Sequence, residues 1–184
     1  RMDLQCVLLG DGAVGKTTLV RSFFGDGESR MDLKDPEGSR LSVMDAGAEY
    51  LGHANSQLLY KNASVFVLCY SVISPQSLDA VENKWLPAVR EHAPDTPFLL
   101  VATKKDLHGD EAIQRRLDRM GLVVVDRARG KALAKRTGAC EFLEVDTRDR
   151  EECATVFAAA ARLGKESASG AKDNKKRNAK CTVI

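Results

Sequence analysis

Short apolar runs of strand length recur along the chain at residues 6–9, 41–44, 65–70, 98–102 and 142–145. Several are apolar at every position rather than at alternate ones, the pattern of strands covered by helices on both faces. Between them the apolar spacing lengthens to three or four, which predicts helices over residues 15–24, 75–92, 127–137 and 151–163. Ser74-Pro75 opens the second of these with a capping hydroxyl and a proline in the first turn. Leu78, Val81, Trp85 and Val89 then share one face, and Pro87 is expected to bend the helix. A further amphipathic piece covers residues 111–120. This alternation predicts an α/β fold: an open, mostly parallel sheet with helices on both faces and ligands at the carboxyl ends of the strands.

The chain has 184 residues, which suits one domain, expected over residues 1–165. The rest, residues 166–184, turns Ser/Gly/Lys/Asn-rich from Ser167 and is expected to be a disordered tail. The formal net charge of +2 divides unevenly along the chain. Lys165, Lys172, Lys175, Lys176, Arg177 and Lys180 against Glu166 and Asp173 give residues 165–184 a net of +4, leaving −2 for the body. A basic excess confined to the tail argues against a nucleic-acid-binding body. Five cysteines, odd in number and without a C-x-x-C pair, argue for a reducing compartment and against a disulfide framework or zinc site. Cys6, Cys69, Cys140 and Cys153 read as small apolar packing residues, and Trp85 as helix-face packing. His53, His92 and His108 stand in unrelated contexts and are expected at the surface or at helix ends. No apolar run reaches the length of a membrane span and no signal-peptide pattern opens the chain; Met2, after Arg1, is the expected natural start.

The first strand runs directly into Gly10-Asp11-Gly12-Ala13-Val14-Gly15-Lys16-Thr17, with a helix pattern behind it. That is the context a phosphate-binding loop requires. Glycines let successive backbone N–H groups turn towards phosphate oxygens, Lys16 supplies charge at the β- and γ-phosphates, and Thr17 offers a hydroxyl to Mg²⁺. Thr103-Lys104-Lys105-Asp106 follows the fourth strand, about 90 residues further on. A carboxylate there accepts both the ring N–H and the exocyclic amine of guanine, and Lys104 can lay its stem along the base.

In order and spacing the chain resembles the Ras superfamily of small GTPases, the Rho family in particular. The matching residues are the Gly-Asp-Gly-Ala-Val-Gly-Lys-Thr loop, Cys69-Tyr70-Ser71-Val72-Ile73-Ser74-Pro75 leading to Lys84-Trp85-Leu86-Pro87, and Thr103 where many relatives have Asn. Residues 107–125 have the size and place of the Rho-type helical insert. The resemblance implies a P-loop NTPase fold, GTP or GDP as ligand and Mg²⁺ as cofactor. It implies nucleotide contacts from Gly12, Ala13, Val14, Gly15, Lys16, Thr17, Thr18, Thr103, Lys104, Asp106, Asp146 and Thr147, and metal contacts from Thr17 and Asp45. It also implies exchange factors, dissociation inhibitors and effectors of Rho type as partners, and a monomer.

Three departures qualify this. Lys16 and Asp45 are 29 residues apart, about a dozen fewer than the family pattern. Few residues remain for the first switch segment and two strands. No threonine lies between Thr18 and Thr96 to contact Mg²⁺ and the γ-phosphate, and Ser29 is a poor substitute. In the second switch, Asp45-Ala46-Gly47-Ala48-Glu49-Tyr50 stands where relatives have Asp-x-Ala-Gly-Gln. Aligned without a gap, Ala48 replaces the glycine and Glu49 the glutamine; with a one-residue deletion Gly47 is kept and Ala48 replaces the glutamine. Both alignments lose the water-orienting glutamine, so no catalytic residue is assigned and slow hydrolysis is expected. Finally, Asp146-Thr147 replaces Ser-Ala beside the base; Asp146 puts a second carboxylate near Asp106, which Arg148 can offset.

The last four residues, Cys181-Thr182-Val183-Ile184, fit a prenylation box, with a lysine-rich stretch upstream as a second, electrostatic signal for anionic lipid. The expectation is a guanine-nucleotide-binding signalling protein at the cytoplasmic face of the plasma membrane or endomembranes, with a cytosolic pool. As an enzyme it would be a slow GTP hydrolase. The alternative is a pseudo-GTPase adaptor acting without nucleotide cycling; an ATP-using P-loop enzyme is disfavoured by Asp106.

Overall fold

The computed structural model describes residues 2–25, 30–34, 38–47 and 54–170, and every structural statement below concerns these. Six strands form one sheet: β1 Asp3–Leu9, β2 Arg30–Lys34, β3 Arg40–Asp45, β4 Val65–Ser71, β5 Phe98–Thr103 and β6 Glu141–Val145. Their order is β2-β3-β1-β4-β5-β6. All neighbours run parallel except β2, which pairs antiparallel with β3 from Arg30 opposite Met44 to Lys34 opposite Arg40. The helices are α1 Lys16–Phe24, α2 Ala54–Asn62, α3 Pro75–Ala80, α4 Leu86–His92, α5 Glu111–Arg119, α6 Arg127–Thr137 and α7 Arg150–Gly170.

The strands that are apolar at every position sort their side chains by parity. Val7 and Leu9 of β1, Phe66, Leu68 and Tyr70 of β4, and Leu100 of β5 face a core closed by α2, α3, α4 and α6. Their neighbours Cys6, Leu8, Val65, Val67, Cys69, Leu99 and Val101 face a second core closed by α1 and α7. A strand buried on both faces needs no polar alternation, which is why these three were legible as continuous apolar runs. Cys6, Cys69 and Cys153 are buried and Cys140 partly so, as small apolar residues.

Several expectations change in detail. The first-switch interval does hold two strands: β2, which the apolar pattern did not predict, and β3. Helix α2 was also not predicted. Helix α7 runs to Gly170, so the expected disorder from Ser167 does not begin there, and the helical body passes the 165/166 boundary. Ser74 caps α3 by accepting the Ser77 N–H, with Pro75 behind it as expected. Pro87 does not act where it stands. It is the second residue of α4, and the irregularity lies just upstream, where Val81–Trp85 forms a widened π-helical turn and the Leu86 N–H reaches back to Val81 O. A proline offers no N–H to the preceding turn, and widening that turn accommodates the loss. Leu78, Val81, Trp85 and Val89 are all buried on one face, as predicted. Ser29, Ala48, Glu49, Tyr50, His53 and the tail with Cys181 lie outside the described residues.

One glycine fixes how closely α6 can approach the sheet. A methyl group at Gly130 would fall well inside van der Waals distance of the Tyr70 hydroxyl and the Phe142 ring, both buried. Gly130→Ala is expected to destabilise the fold by about 1–3 kcal/mol, a shift that urea unfolding followed by circular dichroism would measure.

Candidate nucleotide-binding site

β1 is hydrogen-bonded on both sides, to β3 and β4, and the chain leaves its carboxyl end at Leu9 into the glycine-rich loop. Gly10 has φ +151°, and a Cβ there would collide with the Cys69 carbonyl of β4. The Cys69 thiol is pushed up to about 12 by burial, with Lys16 partly opposing, so it stays neutral and unreactive. Gly15 caps α1 at φ 103°, with no side chain capping the first turn and no acidic residue in it. The open N–H groups of that turn and the helix dipole therefore face an anion at the mouth of the loop.

Lys16 is buried at 6% exposure. Its Nζ donates to Gly10 O and Asp11 O, each at 2.8 Å. An ammonium withdrawn from water needs such acceptors, and they hold it at the centre of the loop. Thr17 and Thr18 are exposed at the start of α1, as are Gly12 and Ala13, whereas the Val14 side chain is in the core, so only its backbone can serve a phosphate. Thr17 Oγ1 donates to Asp45 Oδ2 at 2.5 Å, at the end of β3. The structure thus brings the two expected Mg²⁺ contacts together, a hydroxyl and a carboxylate. Hard oxygens of this kind suit a small divalent cation that keeps several waters.

Two further contacts brace the loop, and pattern reading missed both. Trp85 is fully buried and its Nε1–H donates to Asp11 Oδ1 at 2.9 Å; Lys84 Nζ stands 3.6 Å from the same oxygen. The widened turn at Val81–Trp85 brings both residues to the loop, and π-helical turns recur at functional sites. The second brace is Thr103. It is fully buried, its hydroxyl donates to Val14 O and lies 3.0 Å from Tyr70 O, so it ties β5 to the loop rather than touching a ligand.

The base-reading side is assembled from two turns. Lys104 takes a left-handed conformation at φ 59° and its Nζ donates to Ala13 O at 2.8 Å, spanning from the base turn to the phosphate loop. Asp106 follows in a short 3-10 turn, Lys105–Leu107. The second turn, after β6, carries Asp146 and Thr147. Glu152 of α7 holds both: its Oε1 accepts Lys105 Nζ at 2.5 Å and its Oε2 accepts the Asp146 N–H at 2.8 Å. Ser22 of α1 and Cys153 of α7 both donate to the Thr147 carbonyl.

Arg148 bridges the two carboxylates that the sequence had set side by side. Its Nη2 donates to Asp106 Oδ2 at 2.7 Å and to Asp146 Oδ2 at 3.1 Å. Its Nε and backbone N–H both donate to Asp146 Oδ1, at 3.1 and 2.9 Å. Hydrogen bonding from Arg148 holds the Asp146 carboxyl below the usual carboxylate range. The like-charge conflict is therefore resolved within the loop by one guanidinium.

A groove of about 460 Å³ lies beside this site, lined by Asp11 to Val14, by Ser71, Ile73, Ser74, Gln76 and Ser77, by Lys104 and by residues of α5 and its following loop. It shares the loop and Lys104 with the nucleotide site but contains none of Lys16, Thr17, Asp45, Asp106 or Thr147, so it is an outer flank and not the place where phosphate or base is read. The Val125 N–H donates to Val72 O at 2.8 Å, which fastens the end of the insert to the β4–α3 connection. Among the described residues no cluster of three or more His, Cys, Asp or Glu side chains is placed to hold a metal, and no helix is long and apolar enough to cross a membrane.

The model of the Ras family matches residues 29–166. That match begins after the phosphate loop, so the loop stands on its own geometry. The chain is also 35% identical to the Rho-related GTP-binding protein RhoV of Bos taurus over 170 residues, covering 85% of this chain and 72% of the relative. An alignment of 170 positions exceeds 85% of a 184-residue chain, so gaps fall in this chain, in keeping with its short interval between Lys16 and Asp45.

The Trp85–Asp11 contact gives a test of how the phosphate loop is held. Trp85→Phe is expected to weaken guanine-nucleotide binding up to about tenfold, the net value of one hydrogen bond. Asp11→Asn, which keeps an acceptor oxygen, should do less. Titration of a fluorescent nucleotide measures both, with circular dichroism verifying that each variant is folded.

Proposed function

The chain belongs to the Rho branch of the Ras family of small GTPases, and on that premise we propose that it is a membrane-attached signalling protein that binds guanine nucleotide and hydrolyses GTP slowly. The observation that carries this reading is the asymmetry of the site. The gripping parts are built: Lys16 is seated under the Gly10 and Asp11 carbonyls, Thr17 meets Asp45, and Asp106 stands at the end of β5. The sensing and cleaving parts are not supplied by the sequence, which has no threonine between Thr18 and Thr96 and has Ala48 or Glu49 in place of the family's glutamine. Positioning of water and of developing charge is most of what a phosphoryl-transfer site does, so their loss slows the step without removing the grip.

Mg²⁺ fits the Thr17 hydroxyl and the Asp45 carboxylate, and when bound it supplies charge neutralisation at the β- and γ-oxygens. The chain's own part is to orient the phosphates on the α1 amino end, to stabilise their charge with Lys16, and to read the base with Asp106 and the Thr147 turn. Exchange factors, dissociation inhibitors and effectors of Rho type are the expected partners, although the short first-switch interval leaves less surface for effectors. Where Ile184 is the natural end of the chain, Cys181 is the prenylated residue. The lysines upstream then add the electrostatic signal that a single lipid needs for stable attachment to an anionic cytoplasmic leaflet. Cys181→Ser should move the protein from the membrane pellet to the soluble fraction in cell fractionation.

The proposal is tested by releasing and identifying the nucleotide that co-purifies, then following single-turnover GTP hydrolysis with and without Mg²⁺. The expected result is bound GTP that persists, with a rate at least about tenfold below the ~3–5 × 10⁻⁴ s⁻¹ of ordinary intrinsic turnover. Turnover at that ordinary rate would sink the slow-hydrolysis reading. No bound nucleotide, and none acquired on incubation, would replace it with an adaptor that works on this fold without nucleotide.

A further inference from the structure

We infer that Arg148 is a built-in competitor of guanine, a side chain that occupies the Asp106 carboxylate the base must engage and thereby sets nucleotide affinity. The inference rests on the guanine-binding reading above and concerns its regulation.

The chemistry of the two ligands of Asp106 is alike. Guanine presents a ring N–H and an exocyclic amine on neighbouring atoms, a planar H–N–C–N–H fragment. A guanidinium presents the same fragment with a full positive charge. Arg148 Nη2 lies 2.7 Å from Asp106 Oδ2, within the range of a strong charge-assisted hydrogen bond. A base that donates to both oxygens of Asp106 meets the Arg148 guanidinium at Oδ2 and must share or displace that hydrogen bond.

Asp146 turns this contact into a two-position device. Arg148 makes one hydrogen bond to Asp106 but three to Asp146, through Nε, Nη2 and its own backbone N–H. When the Asp106 bond is lost, the guanidinium remains fastened one residue pair away, beside the base and not in bulk solvent. Asp146 is itself fixed, since Glu152 Oε2 accepts its backbone N–H at 2.8 Å. The Arg148 side chain is 69% exposed, so nothing packs it in place and the swing costs little besides the ion pair. With Arg148 on both carboxylates the base turn is also relieved of the repulsion between Asp106 and Asp146. The side of the equilibrium without guanine is stabilised, and affinity for the base falls by the same amount.

The test compares the full chain with Arg148→Ala, Arg148→Lys and Asp106→Asn, using GDP binding at fixed salt and thermal unfolding with and without GDP. Arg148→Ala is expected to tighten GDP binding up to about fivefold, the upper range of an exposed ion pair. It should also lower the unfolding temperature measured without GDP and enlarge the rise that GDP produces. Arg148→Lys, which keeps the charge but not the paired N–H groups, should fall between. A side chain that merely supports the fold would lower the unfolding temperature without tightening GDP, so the two readouts moving in opposite senses identify competition. Unchanged or weaker binding by Arg148→Ala, with Asp106→Asn abolishing binding, would overturn it while leaving the guanine reading intact. Failure of every variant to bind, or Asp106→Asn binding as well as wild type, would overturn both.

Discussion

The site depends on a close approach between two backbones. β1 is the strand with neighbours on both sides at the point where the sheet reverses its winding, and its chain must leave the sheet directly over the Cys69 carbonyl of β4. Only a residue without a Cβ, free to take φ +151°, can make that turn. Everything downstream follows from it. The Gly10 and Asp11 carbonyls end up converging on one point, where the buried Lys16 ammonium finds its acceptors. The Asp11 side chain is turned the other way, onto Trp85, whose buried N–H needs an acceptor in return. The widened turn at Val81–Trp85 then looks less like a defect in a proline-containing helix than like the adjustment that brings this indole to the loop.

The base-reading side is held by charge more than by packing. Lys105 and Arg148 stand among Asp106, Asp146 and Glu152, and each carboxylate is engaged by at least one of the two cations or by a backbone N–H. Placing an aspartate where relatives have a serine would, alone, set two carboxylates against each other across the base pocket. The structure answers within the same turn, two residues on, where Arg148 donates to both carboxylates. The arrangement is exposed on its Arg148 side, so it is open to screening by salt in a way that the buried Lys16 centre is not.

How much of this was legible in the sequence follows from the physics of each element. β4 and β5, and the end of β1, announced themselves because burial on both faces leaves no room for polar positions; β3 and β6 did so through short apolar runs interrupted once, at Ser42 and Glu144. β2 did not, since an antiparallel edge strand carries an alternation, Arg30-Met31-Asp32-Leu33-Lys34, that five residues state only weakly. Helix α2, with Ala-Asn-Ser-Gln at its start, has too little apolar contrast to stand out. Gly10, Lys16, Thr17 and Asp106 stood out as candidates because phosphate and guanine each impose a residue type at a fixed spacing, and the fold places them at the carboxyl ends of β1 and β5. Asp45 was legible from the resemblance. Trp85, Glu152 and the bracing role of Thr103 were not, because their partners lie 74, 47 and 89 positions away in the chain and only the tertiary fold brings them together. Arg148 fell in between: the conflict between Asp106 and Asp146 could be seen, and Arg148 as a cation able to offset it, but that it would reach both carboxylates was a matter of geometry.

The short first-switch interval can also be weighed geometrically. α1 begins at the phosphate loop and runs nine residues away from it, a length of about 13 Å. β2 begins at Arg30, paired with Met44 and so level with the end of β3, where Asp45 meets Thr17. Five residues, 25–29, are all the chain that joins α1 to β2, and the interval between Lys16 and Asp45 is about a dozen residues shorter than the family pattern. The residues expected to hold phosphate and Mg²⁺, Lys16, Thr17 and Asp45, sit on α1 and at the end of β3 and draw on none of that interval. A shortened first switch and a retained grip are therefore compatible in one chain.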